Sequence, residues 1–495
     1  MKVLPAQSEP PYILAIDIGT SAVRAMLFDR SGRLLDGLAA RRSYTMRTAS
    51  DGTFEIGPDF LLDLIFGCVD DVLSTAGPMS GEIRAVAIST LVSNVLGVDV
   101  HHRPLTPMIA YADTRSAPDV FVLRATLDER LIHQRTGCYL HTSYLPARFL
   151  WLARTQPEVL RQAARWVSIG EYLFLRLFGQ AAVSYSVASW TGLLDIRRLV
   201  WDEALLEALP IGLTHLSPLT DVNVPQIGLR SEFAKRWPSL AEVPWFPALG
   251  DGAAADIGCG CVSPRRVALT MGSTVAMRLI VSEESVPVPW GLWCYRVDRR
   301  RLLLGGALNE GGIVYVWMQK TLRLKGSHVE RALAAMPPDS HGLTVLPFWA
   351  GERSPGWSAN AQATIHGLTL NTTPLDILRA SLEAIAYRIA LVYELLADLL
   401  PDDSIIIAGG VASRQSPTWV QIIADVLNQP IAVSEIEEVS GRGAALLALE
   451  SLGVLSNVED APGEFGATYV PDLNRHMRYR AAIERQRELY AKLVN

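Results

Sequence analysis

The chain has 495 residues, 49% hydrophobic and 19% charged, with a formal net charge of -6. Its length exceeds the size at which one hydrophobic core stops growing, so two domains are expected, and its apolar content excludes a disordered polymer. The mild negative balance argues against a general nucleic-acid binder and against an anionic membrane surface, while leaving room for a local phosphate pocket.

Five cysteines, Cys68, Cys138, Cys259, Cys261 and Cys294, are an odd set that does not suit a disulfide framework. Cys259 and Cys261 form a C-x-C without the second ligand pair that zinc needs. The first residues, MKVLPAQSEPPY, carry no apolar leader core, and no run approaches the roughly 18 apolar residues of a membrane span. A reduced, cytoplasmic compartment and no membrane partner are the expectation.

In chain order, residues 12–18 (YILAIDI) read as a buried strand, followed by a Gly19-Thr20-Ser21 turn and a second strand from Ala22 to Asp29. Arg30-Ser31-Gly32-Arg33 reads as a hairpin turn into a third strand. Residues 59–76 carry helical periodicity, and Ala85 to Ser89 a further short strand. Residues 118–245 look mostly helical and loop-like. From Arg266 a second strand-rich run begins, VALTMGSTVAMRLIV, continued by Leu302 to Leu304. Leu375 to Leu400 reads as a long amphipathic helix. Strand and helix then alternate through SIIIA, a helix at Trp419 to Leu427, a strand at Ile431 to Ser434 and a helix at Gly443 to Leu449. This is an α/β pattern.

AIDIGTSAVRAMLFD (Ala15 to Asp29) lies over ALTMGSTVAMRLIVS (Ala268 to Ser282) without gaps. Each copy is an apolar strand, a Gly with two hydroxyl residues, and another apolar strand, which suggests two domains built on one ancestral core. Gly-rich turns let the backbone approach and bind an anion, and Thr20, Ser21, Ser273 and Thr274 add hydroxyl donors. Two such turns can hold one polyphosphate across a cleft. Only the first copy keeps charge. Asp17, at the end of its strand, suits Mg²⁺ directly or through water, and Arg24 could neutralise a transferring phosphoryl group. Asp251, flanked by glycines in LGDGAAADIGCG, is the general-base candidate, with a helix N-cap as its plainer role. Asp256 reads as structural. Gly409-Gly410 at a strand end could let the backbone pass close to a nucleotide. No P-loop, dinucleotide G-x-G-x-x-G, G-x-S-x-G or H-E-x-x-H motif occurs.

Over nearly its whole length the chain resembles the FGGY carbohydrate kinases of the actin/hexokinase superfamily. The resemblance is carried by IDIGTSAVRAMLFD, LTMGST, GDGAAADIG, IIIAGGVAS and the long segment Ala363 to Glu383. It implies two RNase-H-like domains, residues 1–245 and 246–495, flanking a cleft that binds ATP and Mg²⁺. It implies Asp251 as base. Asp17, Gly19, Thr20, Ser21 and Arg24 would handle metal and γ-phosphate. Gly272, Ser273 and Thr274 would hold phosphates from the other side, and Gly312, Gly409 and Gly410 would approach the nucleotide. Segments such as YADTRS, SVASWTGLLDI, GGALNEGG and GERSPGWSANA look most like gluconokinase members. They point to Asp113, Arg115, Asn309 and Glu310 as substrate contacts, and Ser93 joins them from Val92-Ser93-Asn94, which stands where xylulokinases carry Met-His-Gly and so weakens a xylulokinase assignment. Asp113 and Arg115 could instead pair with each other. Glu310 replaces an Asn usual there, and Arg148 a usual Lys. A carboxylate at Glu310 would not favour an anionic sugar acid. The implied activity is phosphorylation of a small sugar or sugar acid, gluconate first. A ketose kinase for ribulose, xylulose or sedoheptulose is the alternative. A non-catalytic sugar sensor is a third reading, disfavoured by the retention of Asp17 and Asp251. A homodimer is compatible with the apolar content.

Overall fold

The computed structural model describes residues 1–282, 286–324, 328–358 and 360–494. A six-stranded sheet is ordered Lys2–Val3, Leu34–Ser43, Ala22–Phe28, Tyr12–Ile18, Ile83–Thr90 and Leu249–Gly250. A seven-stranded sheet is ordered Trp293–Arg296, Leu302–Leu308, Val275–Val281, Arg266–Met271, Ile405–Gly409, Ile431–Ser434 and Phe465–Tyr469. Without the edge strands Lys2–Val3, Trp293–Arg296 and Phe465–Tyr469, the two sheets share one order. Each is an antiparallel meander whose first strand runs parallel to a fourth, and the fourth parallel to a fifth. These are the two α/β domains expected of an actin-like ATPase core.

Local chemistry sets the pieces. Every residue of Tyr12–Ile18 is buried, which suits a central strand covered on both faces. At the first hairpin's far end, Asp29 Oδ1 accepts from the N–H groups of Ser31 and Arg33, and Gly32 takes φ +69°, a left-handed value that glycine adopts at little cost. The helix Pro58–Ala76 opens on a proline and covers the meander with Leu61, Leu62, Ile65 and Val69. Its counterpart, Pro374–Leu396, opens on a reciprocal cap: Thr373 Oγ1 accepts from Asp376 N–H while Asp376 accepts from Thr373 N–H.

The two hairpins differ in one way that the gapless alignment hides. Ile18 pairs with Val23, leaving four residues in the first turn, whereas Met271 pairs with Val275, leaving three in the second. The strands after the turns are therefore offset by one residue. By register, the position facing Thr270 is Ala276, and Arg24, which faces Asp17, has Ala276 rather than Met277 as its counterpart.

The sequence expectation divides the domains after residue 245, yet Leu249–Gly250 pairs with Ser89–Thr90 and extends the first sheet past that point. The helix Asp251–Gly258 follows directly. It crosses Val439–Ser451, a helix that also lies against Tyr12–Ile18 and Ile83–Thr90. The crossing is backbone on backbone: a Cβ on Gly258 would stand 1.8 Å from Val439 O, and one on Gly443 1.8 Å from Ala254 O. Buried Arg442 stitches the same junction, donating to the carbonyls of Gly32, Gly258 and Pro462.

Candidate active site

Asp251 stands where the two hairpins approach each other. Its flanking glycines have a reason beyond exposing the carboxylate. A Cβ on Gly250 would come within 2.9 Å of Trp190 Nε1, and one on Gly252 within 3.4 Å of the same indole. Trp190 in turn stacks on Tyr295, with centroids 3.5 Å apart. Burial pushes the Asp251 carboxyl up to about 6, and the charge of Asp17 adds to the shift. The Gly252 N–H, 2.8 Å from Oδ1, and the cation of Arg278 oppose it. A carboxylate poised near neutrality, beside a cleft and open to solvent on one side, can accept a proton.

Asp17 is buried, which raises its pKa, and the Arg24 guanidinium opposes that rise. Arg24 Nη1 donates to Asp17 Oδ2 at 2.8 Å, and Arg24 Nε lies 3.3 Å from Glu438 of the second domain. Arg24 is thus held by two carboxylates, which suits positioning Asp17 better than facing a phosphate as a free cation. Asp256 is engaged elsewhere: Arg278 donates to it twice, at 2.7 and 2.9 Å, and also reaches Thr270 Oγ1 at 2.7 Å. This agrees with its reading as structural.

The two turns present hydroxyls outward. Ser21, Ser273 and Thr274 are exposed and Thr20 is half-buried. Gly19 N–H closes on Ala22 O at 3.1 Å and Gly272 N–H on Thr274 O at 3.0 Å, so these glycines shape the turns and spend their own donors doing so. Gly312 N–H is likewise spent on Gly272 O at 2.8 Å, seating the helix Gly312–Thr321 on the second turn. Gly410, at φ +96°, lies so close that a Cβ would meet Met271 O at 2.5 Å, whereas Gly409 faces open space. Gly312 and Gly410 therefore act by close packing around the second turn.

The expected substrate contacts are already engaged. Ser93, at φ +51°, gives its hydroxyl to Trp190 O at 2.6 Å, and the buried Arg148 holds the Ser93 carbonyl. Arg115 pairs with Asp113 and with Glu55, each at 2.7 Å, and lies over the Trp151 ring, so its charge is balanced within the first domain. Asn309 donates to Ala350 O at 2.8 Å, and Glu310 accepts from Ala350 N–H at 3.1 Å. Both pin the loop at 350–352. Burial pushes the Glu310 carboxyl up to about 7, which removes much of the negative charge that seemed adverse to a sugar acid.

Four residues at this cleft were not anticipated. Tyr111 neighbours the Thr20 hydroxyl and feels both the Asp251 carboxylate and the Arg353 guanidinium. Trp190, Glu438 and Arg353 complete the set. Tyr111 lies inside YADTRS, Trp190 inside SVASWTGLLDI and Arg353 inside GERSPGWSANA, segments noted for their likeness to gluconokinases but with no local pattern marking these side chains.

Residues 12–258 match the N-terminal domain, and residues 267–452 the C-terminal domain, of the FGGY family of carbohydrate kinases. A gluconokinase of Bacillus subtilis is 26% identical over 498 residues, covering 98% of this chain and 95% of its own. A glycerol kinase of Halorhodospira halophila is 30% identical over 468 residues, covering 90% and 89%. Among solved structures, a gluconate kinase of Lactobacillus acidophilus superposes with a TM-score of 0.91 at 26% identity, covering 98% of each chain. A ligand-bound xylulose kinase of the same organism also gives 0.91 at 26%, covering 97% and 98%.

Proposed function

The chain belongs to the FGGY family of carbohydrate kinases and is an ATP-dependent carbohydrate kinase; from that premise we propose that it phosphorylates a hydroxyl of gluconate or a related open-chain sugar acid, with Asp251 as the general base. The observation that carries the mechanism is the Asp251 carboxyl, pushed up to about 6 in the cleft between the two hairpins. In the step, the acceptor hydroxyl gives its proton to Asp251 while its oxygen bonds to the γ-phosphorus. The bond from that phosphorus to the bridging oxygen breaks, and ADP leaves with the electron pair. Thr20, Ser21, Ser273 and Thr274 supply the outward donors that hold the phosphates.

Asp17 and Asp251, with the Thr20 and Ser21 hydroxyls, make an all-oxygen donor set, and two mutually repelling carboxylates in one cleft suit a divalent cation. These residues fit Mg²⁺, with Asp17 as the protein ligand, directly or through water. Bound with ATP, the ion would neutralise phosphate charge. We place the enzyme in a reducing, cytoplasmic compartment, supported by five free, buried thiols. No described helix is long and apolar enough to cross a membrane.

The substrate reading rests on the gluconokinases and the gluconate kinase among the relatives and on the weakened charge of Glu310. The xylulose kinases among the structural neighbours favour a ketose as the second reading. A coupled ADP-release screen over gluconate, ribulose, xylulose, sedoheptulose, ribitol and glycerol separates them. Turnover greatest on gluconate is expected; turnover on a ketose with none on any acid replaces the substrate.

A further inference from the structure

Among the described residues, four arginines, Arg24, Arg148, Arg353 and Arg388, have an Nε out of solvent with no hydrogen-bond partner. Arg24 and Arg388 pair with carboxylates through another nitrogen, and Arg148 donates to the carbonyls of Ser93, Thr142 and Ser143, whereas half-buried Arg353 is held by none. A buried guanidinium nitrogen left without an acceptor is costly, and such a group commonly marks a ligand that is absent.

Its loop is built to hold it still. The adjacent Glu352 faces away, paired with Arg388 and accepting from Tyr490 Oη at 2.7 Å. Ser354 N–H donates to Ala307 O at 3.0 Å and Ser354 Oγ accepts from Ala307 N–H at 3.2 Å. Asn309 and Glu310 hold Ala350. Trp357 stacks on Tyr139, centroids 4.3 Å apart, and donates to Gly291 O at 3.0 Å. The loop of the second domain is thereby seated on Tyr139 and His141 of the first.

Arg353 lies within electrostatic reach of a group that Asp251 also acts on, Tyr111. Its charge reaches Tyr111, His141, Tyr144 and Tyr295. Tyr111 is also reached by Asp251 and neighbours Thr20. The base and the unpaired cation thus act on one side chain. Asp251 apart, the titratable groups Arg353 reaches are neutral: burial, then the nearby arginines, drives His141 down to about 3, and the tyrosine hydroxyls are pushed up by burial.

We propose that the Arg353 guanidinium receives the carboxylate of the sugar acid, fixing the acceptor chain so that a hydroxyl lies at Asp251. This deepens, and rests on, the sugar-acid reading above. An open-chain acid supplies both ends of the contact. A neutral ketose leaves Arg353 unpaired, and a site whose buried polar group is left unpaired discriminates against the ligand that fails to reach it. Arg suits the task because its planar fork matches a carboxylate in two places at once.

The test uses the full-length enzyme with Arg353→Met and Arg353→Lys, reading KM and kcat for gluconate, KM for ATP, and the thermal midpoint. Loss of a charge-assisted contact should raise the gluconate KM roughly 10- to 100-fold in Arg353→Met. The ATP KM and midpoint should stay at wild-type values, and Arg353→Lys should fall between. An unchanged gluconate KM, or an ATP KM that rises in step with it, overturns the proposal while leaving the substrate reading intact. A wild-type enzyme that turns over no sugar acid overturns both.

Discussion

At the scale of single residues, the proposed chemistry concentrates in Asp251. Its carboxyl, pushed up to about 6 by burial and by Asp17, must be ionised to take a proton. The kcat/KM profile should therefore fall on the acid side with a midpoint near pH 6, and that limb should be missing in any residual activity of Asp251→Asn. The same shift has a sign for stability. The folded-state pKa lies above the unfolded value, so the native state is favoured at low pH and loses that advantage as pH rises through about 6. Asp251→Asn should accordingly raise the thermal midpoint at pH 8 relative to wild type and lose that gain toward pH 4. The gain is about 1–2 kcal/mol, less than the full shift implies because the carboxylate is partly open to solvent. Calorimetric scans of both proteins across pH check it; a lower midpoint for the Asn variant at pH 8 contradicts it. Asp251 was legible in the sequence as a base candidate because it sits between glycines in a local motif. Arg353, Glu438 and Trp190 were not, because folding brings them to the cleft from distant parts of the chain and no neighbouring residue marks them.

At the scale of elements, the hairpins, the crossover helices and the Gly-hydroxyl turns follow from short-range patterns and were readable. The one-residue offset between the hairpins was not. It lives in turn geometry, and an apolar strand slides under an apolar strand without penalty in an alignment. The C-terminal helix Leu473–Leu493 had a faint signal, its buried positions Tyr479, Ala482, Ile483 and Gln486 recurring at helical spacing within a largely charged segment. This helix packs against the second domain and reaches the Arg353 loop through Tyr490. It also closes a cluster that resembles a metal site, Asp339, His341 and Glu383. There His341 Nδ1 accepts from Leu343 N–H, its Nε2 faces Glu383, and Arg485, Arg379 and Tyr479 occupy the carboxylates. That arrangement leaves no imidazole lone pair for an ion and acts as a clamp. The helix crossing at Gly258 and Gly443 is the most exacting contact between elements. Gly443→Ala places a methyl against Ala254 O. It should destabilise the protein by about 3 kcal/mol and lower kcat by displacing the helix that begins at Asp251. Denaturant unfolding checks the first effect; a midpoint equal to wild type contradicts it.

At the scale of the whole molecule, two copies of one sheet order face each other, and asymmetry within the repeat divides the labour. The first copy keeps Asp17 and Arg24, and Asp251 follows directly from its last strand. The second copy replaces the acidic position by Thr270 and supplies the helix Gly312–Thr321 and the Gly410 approach around its turn. The repeat was visible in the sequence because both hairpins are unbroken apolar runs around a glycine. The boundary between domains was not, because Leu249–Gly250 belongs to the first sheet by a parallel pairing with a strand about 160 residues earlier in the chain. The central claim is that Asp251 takes the acceptor's proton as the phosphoryl group transfers. A single-turnover measurement with ATP and gluconate, run alongside ATP binding, tests it most directly. Asp251→Asn should bind ATP as wild type does while transferring phosphate roughly 10²- to 10⁴-fold more slowly. Transfer by Asp251→Asn at the wild-type rate would contradict the account.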